Sequence, residues 1–307
     1  METTQQVGVL GLGAMGSGMA AALMRAGFTV RGYDINSTAL TTFTEAGGIA
    51  ASTPAEAADG VEALVVMVLN SDQAEQAIFG SAGAISTLRP GTVLLLCSTT
   101  APGFVRNLAQ RLSAHGVYFL DAPVSGGVKR AAEGTLSVMA AGNPGAYRAA
   151  EAVLDAIADN VFHMGDEPGQ GATMKLVNQI LAGIHIAAAA EAVAFGARAG
   201  IDPNRIYEVI THSAGASWMF NDRVPHILAD DFTPHSAVDI WLKDLNLILE
   251  TGRDLRLPMP LAAVAHQLFL MAAASGYGRL DDAAVIKVFE KLADFRVLDT
   301  PGSDADA

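Results

Sequence analysis

The first half of the chain alternates short, mostly apolar runs with longer stretches whose apolar residues recur every three or four positions. The runs are 7–10, 28–33, 63–69, 93–96, 117–120 and 136–140. Runs this short and this apolar predict strands buried in a parallel sheet. Between them, 17–25, 37–45, 72–78 and 103–115 carry helical spacing. Strand and helix in alternation predict a parallel sheet with crossover helices on both faces, a doubly wound α/β domain over residues 1–170.

Past Gly171 the strand pattern stops, and residues 171–299 read as an all-helical domain. Gly200 marks a helix end. Asp202-Pro203 sets a capping side chain before a first-turn proline, and Asp281-Asp282 open a helix running to about 292. The opening helix, 172–199, is long and rich in alanine and glycine. Its small side chains either admit a neighbouring helix closely, within the domain and at a subunit interface, or reflect helix propensity alone. His185, Glu191 and Arg198 interrupt its apolar stretch, so it is read as a buried helix and not as a membrane span. The polar tail 300–307 is expected to be disordered.

The first strand feeds directly into Gly11-Leu12-Gly13-Ala14-Met15-Gly16 and then into a helix. In such a turn the first glycine bends the chain and the second lets a pyrophosphate approach the backbone. The third packs helix on strand, and the helix N-terminus faces the anion. The second strand ends at Asp34, the acid expected about 20 residues on to bind the adenosine ribose hydroxyls. Together these predict a Rossmann-type domain that binds NAD, because a carboxylate at that place repels the 2′-phosphate of NADP.

Composition narrows the partners. A net charge of −13 over 307 residues argues against nucleic acid, so any anionic ligand must be drawn by local groups. Cys97 is the only cysteine and is read as a small buried residue. The seven histidines show no metal-ligand spacing, so no metal is expected. The polar start of the chain has no signal-peptide pattern, and the protein is expected to stay in the cytoplasm.

Four segments carry candidate chemistry. Asp121-Ala-Pro-Val-Ser125-Gly126-Gly127 follows a strand, at the end where open α/β sheets bind ligands. It is either a plain turn or a nest of N–H groups beside a hydroxyl, suited to a carboxylate. Lys175, Asn178 and Gln179 share one face at the start of the long helix. There the lysine is either a proton-transfer group in a cleft or a solvated surface residue. Lys243-Asp244 is either a surface pair or places a lysine toward cofactor or substrate. Ser217-Trp-Met-Phe-Asn221-Asp-Arg223 either walls a small-molecule pocket or forms a helix contact with a snorkelling arginine.

Taken in order, these motifs resemble the β-hydroxyacid dehydrogenase family over about residues 7–295. Gly11 to Gly16 resembles its cofactor signature, the segment from Asp121 its substrate-carboxylate motif, and Gly171 to Gln179 its catalytic segment. Ser98-Thr99 with Pro102 resembles its Ser-Thr-x-x-Pro turn, and Lys243 its late lysine near the nicotinamide. The resemblance implies Lys175 as general acid/base, with Ser125, Gly126 and Gly127 on the substrate carboxylate and Asn178 or Gln179 on its hydroxyl. It also implies NAD contacts from Leu69, Asn70, Thr99 and Lys243, and a homodimer or homotetramer. Two departures stand out: Asn178-Gln179 replaces the common Asn-Asn, and Leu69-Asn70 replaces the usual Leu-Pro. Within the family, 217–225 resembles the branch that oxidises L-threonate at C2. Tartronate semialdehyde reduction, 3-hydroxyisobutyrate oxidation and a noncatalytic cofactor-binding module stand as alternatives.

Overall fold

The computed structural model describes residues 5–299; the tail expected at 300–307 lies outside the described residues. The chain divides into two compact units, one ending at Lys175 and the other beginning at Leu176. The division falls inside the long helix and not at its start. The reason is local: Ala172 joins the core beneath the sheet, and Gly171 abuts the backbone of the strand ends.

Among the described residues the first unit holds nine strands: β1 (Gln6–Leu10), β2 (Thr29–Tyr33), β3 (Ile49–Ala50), β4 (Ala63–Val66), β5 (Val93–Leu96), β6 (Tyr118–Asp121), β7 (Val124–Ser125), β8 (Leu136–Ala141) and β9 (Ala158–Gly165). Their order is β3-β2-β1-β4-β5-β6-β8-β7, with β9 paired to β8. From β3 to β6 every pairing is parallel, as expected. The run at 136–140 departs from that expectation: β8 pairs antiparallel with both β6 and β7. The expected strand 63–69 also ends early, at Val66, because the chain turns there to start a helix. The crossover helices are α1 (Ala14–Arg25), α2 (Ser37–Glu45), α3 (Pro54–Ala58), α4 (Ser71–Phe79), α5 (Pro102–Ser113), α6 (Gly127–Glu133) and α7 (Pro144–Ile157). Alternate residues of the central strands enter two cores on opposite faces. Val9, Val65, Leu95 and Leu120 point one way, and Leu10, Val66, Leu96 and Phe119 the other. The strand order reverses at β1, between β2 and β4, which opens a crevice at the carboxyl end of β1.

Helix α8 (Gln170–Arg198) starts in the first unit and continues as the core helix of the second. It is long and apolar enough to cross a membrane by composition alone, but half of its most apolar window is buried inside the protein. The second unit adds α9 (Pro203–Thr211), α10 (Trp218–Leu228), α11 (Val238–Asp254), α12 (Pro260–Ala272) and α13 (Ile286–Ala293). Its described residues otherwise form short helical turns and one isolated bridge, Ala237 to Asp281. Small residues in α8 do admit close neighbours: a Cβ on Gly183 would lie 3.0 Å from the Trp241 ring, and one on Gly196 would lie 2.4 Å from Ile206 Cδ1. Asp202 accepts the Asn204 N–H at 3.0 Å before Pro203, as its position predicts. The expected helix at 281–292 begins instead with a tight 3-10 turn over Asp282–Val285.

Candidate active site

The glycine turn is built as its spacing requires. Gly11 has φ of +93°, a conformation that disfavours any side chain, and its N–H donates to Tyr33 O at 2.9 Å. A Cβ on Gly16 would lie 1.9 Å from Gly11 O, so α1 can approach the turn only with glycine there. A Cβ on Gly13, by contrast, would meet nothing within 4 Å. No side chain caps α1, so Gly13, Ala14 and Met15 present backbone to an open cradle at the helix N-terminus, while the N–H of Leu12 is already engaged. Such a cradle fits a pyrophosphate. At the end of β2, Asp34 accepts the Leu12 N–H at 2.6 Å through one carboxylate oxygen and the Asn36 N–H at 2.8 Å through the other.

The loops after β4 and β5 flank this turn in the sheet order. Ser98 Oγ accepts the Val68 N–H at 2.9 Å and so joins the two loops, with Thr99 half-buried beside it. Asn70 has a local explanation for its departure from the family pattern. Its side chain accepts the Gln73 N–H at 2.9 Å as the N-cap of α4, while Gln73 Oε1 accepts from the Leu69 N–H. Leu69 itself is 51% exposed. Cys97, buried beneath these loops, has its thiol pushed up to about 12 by burial and by the Asp121 charge. It is inert.

Ser125, Gly126 and Gly127 leave β7 and open α6. Gly126 and Gly127 have φ of +134° and +72°. The Gly127 position is open, with nothing within 4 Å of a Cβ there. Lys175 is 8% exposed, so the solvated-surface reading does not hold. A buried ammonium is rare in proteins and needs partners.

In the second unit, Asn178 and Gln179 continue the face of α8 begun by Lys175. Gln179 is 8% exposed. Its Nε2 donates to Asp244 Oδ2 at 2.6 Å, and its Oε1 accepts from Asn178 Nδ2 at 2.9 Å. Asp244, 2% exposed, also holds Lys243 Nζ 2.7 Å from its other oxygen. The pair read as a surface contact is therefore half internal. The aromatic and polar segment at 217–223 resolves differently from a pocket wall at one residue. Arg223 is buried against Asp282, with Nε to Oδ1 at 2.5 Å, and also contacts Asp222. Asp282 further accepts the Trp241 indole N–H at 2.7 Å. Burial pushes the Asp282 carboxyl above its ordinary range, against the pull of the Arg223 guanidinium. Trp218 at the start of α10 remains 62% exposed.

A surface cavity lined by Gln6, Phe28, Glu62, Arg148 and Asp155 lies at the amino ends of β1, β2 and β4, away from this chemistry. Among the described residues no cluster of three His, Cys, Asp or Glu side chains is placed to hold a metal.

A dinucleotide turn at a sheet switch point, followed by a buried lysine with amides on its helix face, defines a dinucleotide-dependent oxidoreductase. Comparison with known proteins is specific. Residues 6–165 match the NAD-binding domain of 6-phosphogluconate dehydrogenase, and 169–289 the NAD-binding domain of NADP-dependent 3-hydroxyisobutyrate dehydrogenase. The chain is 49% identical to an L-threonate dehydrogenase of Cupriavidus necator, over 93% of this chain and 96% of that one. It is 32% identical to human mitochondrial 3-hydroxyisobutyrate dehydrogenase, over 92% and 85% respectively. A crystal structure of 3-hydroxyisobutyrate dehydrogenase from Salmonella typhimurium superposes with a TM-score of 0.87 at 45% identity, covering 92% of this chain and 99% of that one. The protein belongs to the 3-hydroxyisobutyrate dehydrogenase-like family of β-hydroxyacid dehydrogenases, NAD-binding enzymes that act on a CH–OH group.

Proposed function

We propose that this enzyme oxidises L-threonate at C2 to 2-dehydro-L-erythronate with NAD. The observation that carries the reaction is the buried Lys175, in the first turns of α8 with two amides on the same face. Likeness to the Cupriavidus necator protein along nearly the whole chain supports the substrate. Ser125 and the N–H groups of Gly126 and Gly127 bind the substrate carboxylate. Asn178 or Gln179 orients the C2 hydroxyl. Asp244 fixes the Gln179 amide, so its turn in the site is set by a buried hydrogen bond. Lys175 takes the hydroxyl proton as general base, and in the reverse direction returns it. Bound NAD supplies the hydride acceptor.

The test is cofactor reduction followed at 340 nm against L-threonate, D-threonate, D-erythronate, D-glycerate and 3-hydroxyisobutyrate, with tartronate semialdehyde run in reverse. A preference for L-threonate is expected. A preference for 3-hydroxyisobutyrate, the substrate named for the Salmonella typhimurium structure, replaces the proposed acid and keeps the mechanism. NAD binding without turnover on any of the six leaves the noncatalytic module.

Asp34 favours NAD over NADP, because a 2′-phosphate beside its carboxylate sets like charges together. The expected ratio of kcat/KM for NAD over NADP is at least about tenfold, and Asp34→Ala narrows it. Equal use of both by the wild type overturns the assignment. The chain is further proposed to form a homodimer or homotetramer, since Leu181 and Phe195 of α8 and Leu261 and Val264 of α12 are 53%, 77%, 67% and 61% exposed. A monomer mass by light scattering rules this out.

A further inference from the structure

We propose that Asp121 is a positioning residue for the reaction. It anchors the first turn of the helix that carries Lys175 to the strand end from which the Ser125-Gly126-Gly127 loop departs. The inference deepens the proposed function and rests on the roles given there to Lys175 and the loop.

Asp121 is the last residue of β6, where its backbone is register-locked to Leu96 of β5 and to Ala141 of β8. Its side chain is 1% exposed. One oxygen, Oδ2, accepts the Gly169 N–H at 2.8 Å and the Ala172 N–H at 2.9 Å, and the Gly171 N–H adds to the set. These are N–H groups that the start of a helix leaves without partners. Gly171 seals the contact: a Cβ there would lie 2.3 Å from Met139 O and 2.8 Å from Asp121 O. Gly169, the residue just before the helix, has no side chain with which to cap it. The cap comes instead from 48 residues upstream.

Connectivity gives this anchor its consequence. In one direction the chain runs from Asp121 through Ala122-Pro123-Val124 to Ser125, all but the serine buried. In the other, Lys175 follows Ala172 by less than one helical turn, about 4.5 Å of rise. The carboxylate-binding loop and the proton-transfer amine thus refer to a single buried group. A carboxylate also outbids a neutral cap, since hydrogen bonds to an ionised acceptor are about twice as strong.

That charge is held against burial. Desolvation pushes the Asp121 carboxyl up to about 6, opposed by the Ala172, Gly169 and Gly171 N–H bonds. The titratable groups facing it are the Cys97 thiol just after β5 and the Tyr147 phenol on α7, both pushed up to about 12 and so neutral below pH 8. Asp166, after β9, acts on Tyr147, and Arg106 of α5 lies beside Gly169. Because the folded-state value is raised, the folded protein binds this proton more tightly than the unfolded chain. The ionised group therefore costs stability as pH rises from the ordinary value of 3.8 to about 6.

The experiment compares wild type, Asp121→Asn and Asp121→Ala in the full chain. It reads three quantities: melting temperature at pH 7.5 and pH 4, kcat and KM on the preferred hydroxyacid, and hydrogen exchange of the 169–175 amides by mass spectrometry. Asp121→Asn is expected to melt at or above wild type at pH 7.5, with the difference shrinking at pH 4. Its kcat is expected to fall about 10- to 100-fold with KM for NAD unchanged, and its 169–175 amides to exchange faster. Asp121→Ala extends both losses if it folds; the Asn variant decides the matter if it does not. Wild-type kcat in Asp121→Asn overturns the proposal, as does unchanged protection at 169–175. Should the wild type oxidise none of the acids, the proposed function fails on its own, and the exchange result still decides whether Asp121 holds the helix start.

Discussion

Lys175→Ala lowers the rate of hydroxyacid oxidation by about 10³-fold while NAD binds as tightly as to wild type. Loss of a positioned general base typically costs two to four orders of magnitude, and the elements proposed to cradle the phosphates and adenosine ribose of the dinucleotide do not include this residue. The turn at Gly11 to Gly16 and the Asp34 carboxylate belong to β1, α1 and β2, whereas Lys175 stands on α8. A further separation is available: if the lysine only filled space, a methionine of similar length would restore the rate. Lys175→Met is expected to fold and to remain as slow as the alanine variant. Steady-state turnover beside a calorimetric NAD titration checks both halves, and near-normal kcat in either variant removes the lysine from the chemistry.

Arg223→Ala destabilises the helical unit by about 3–5 kcal/mol, enough to lower the melting temperature on the order of 10 °C. The size follows from what is left behind. Asp282 is fully buried, and without the guanidinium its charge keeps only the Trp241 indole as a side-chain partner. The double change Arg223→Met with Asp282→Asn is expected to recover much of the loss, because the orphaned charge is gone and the indole keeps an acceptor. Thermal melts followed by tryptophan fluorescence decide it. An Arg223→Ala protein that melts with wild type would mean that water reaches Asp282.

The central strands were legible because β4 and β5, and all but the ends of β1 and β6, are buried on both faces and carry apolar residues there. Strands β3 and β9 were not, since β3 is two exposed residues and most of β9 faces solvent, leaving no apolar run to read. The antiparallel turn of β8 was hidden for another reason: an apolar run carries no direction. At the site, the glycine turn was readable because backbone conformation and close packing restrict those positions to one residue type. The burial of Lys175 was not, and neither were the partners of Gln179 and Arg223, which lie 65 and 59 positions away. Asp121 was seen only as the head of a motif. A charged residue closing an otherwise apolar strand was the available signal that it had a buried task.

The bond from the Leu12 N–H to Asp34 bears on how the dinucleotide is met. A turn with three glycines in six residues would have many conformations to lose on gripping a ligand. Here the carboxylate two strands' connection away already holds the turn in shape, so that ordering is completed during folding and not charged against affinity. A carboxylate has about four lone-pair positions and spends two on Leu12 and Asn36. Two remain, one for each hydroxyl of a ribose. The acid proposed to choose the sugar thus preorganises the loop proposed to hold its phosphates, so that recognition of the two halves of the ligand would begin from one rigid frame.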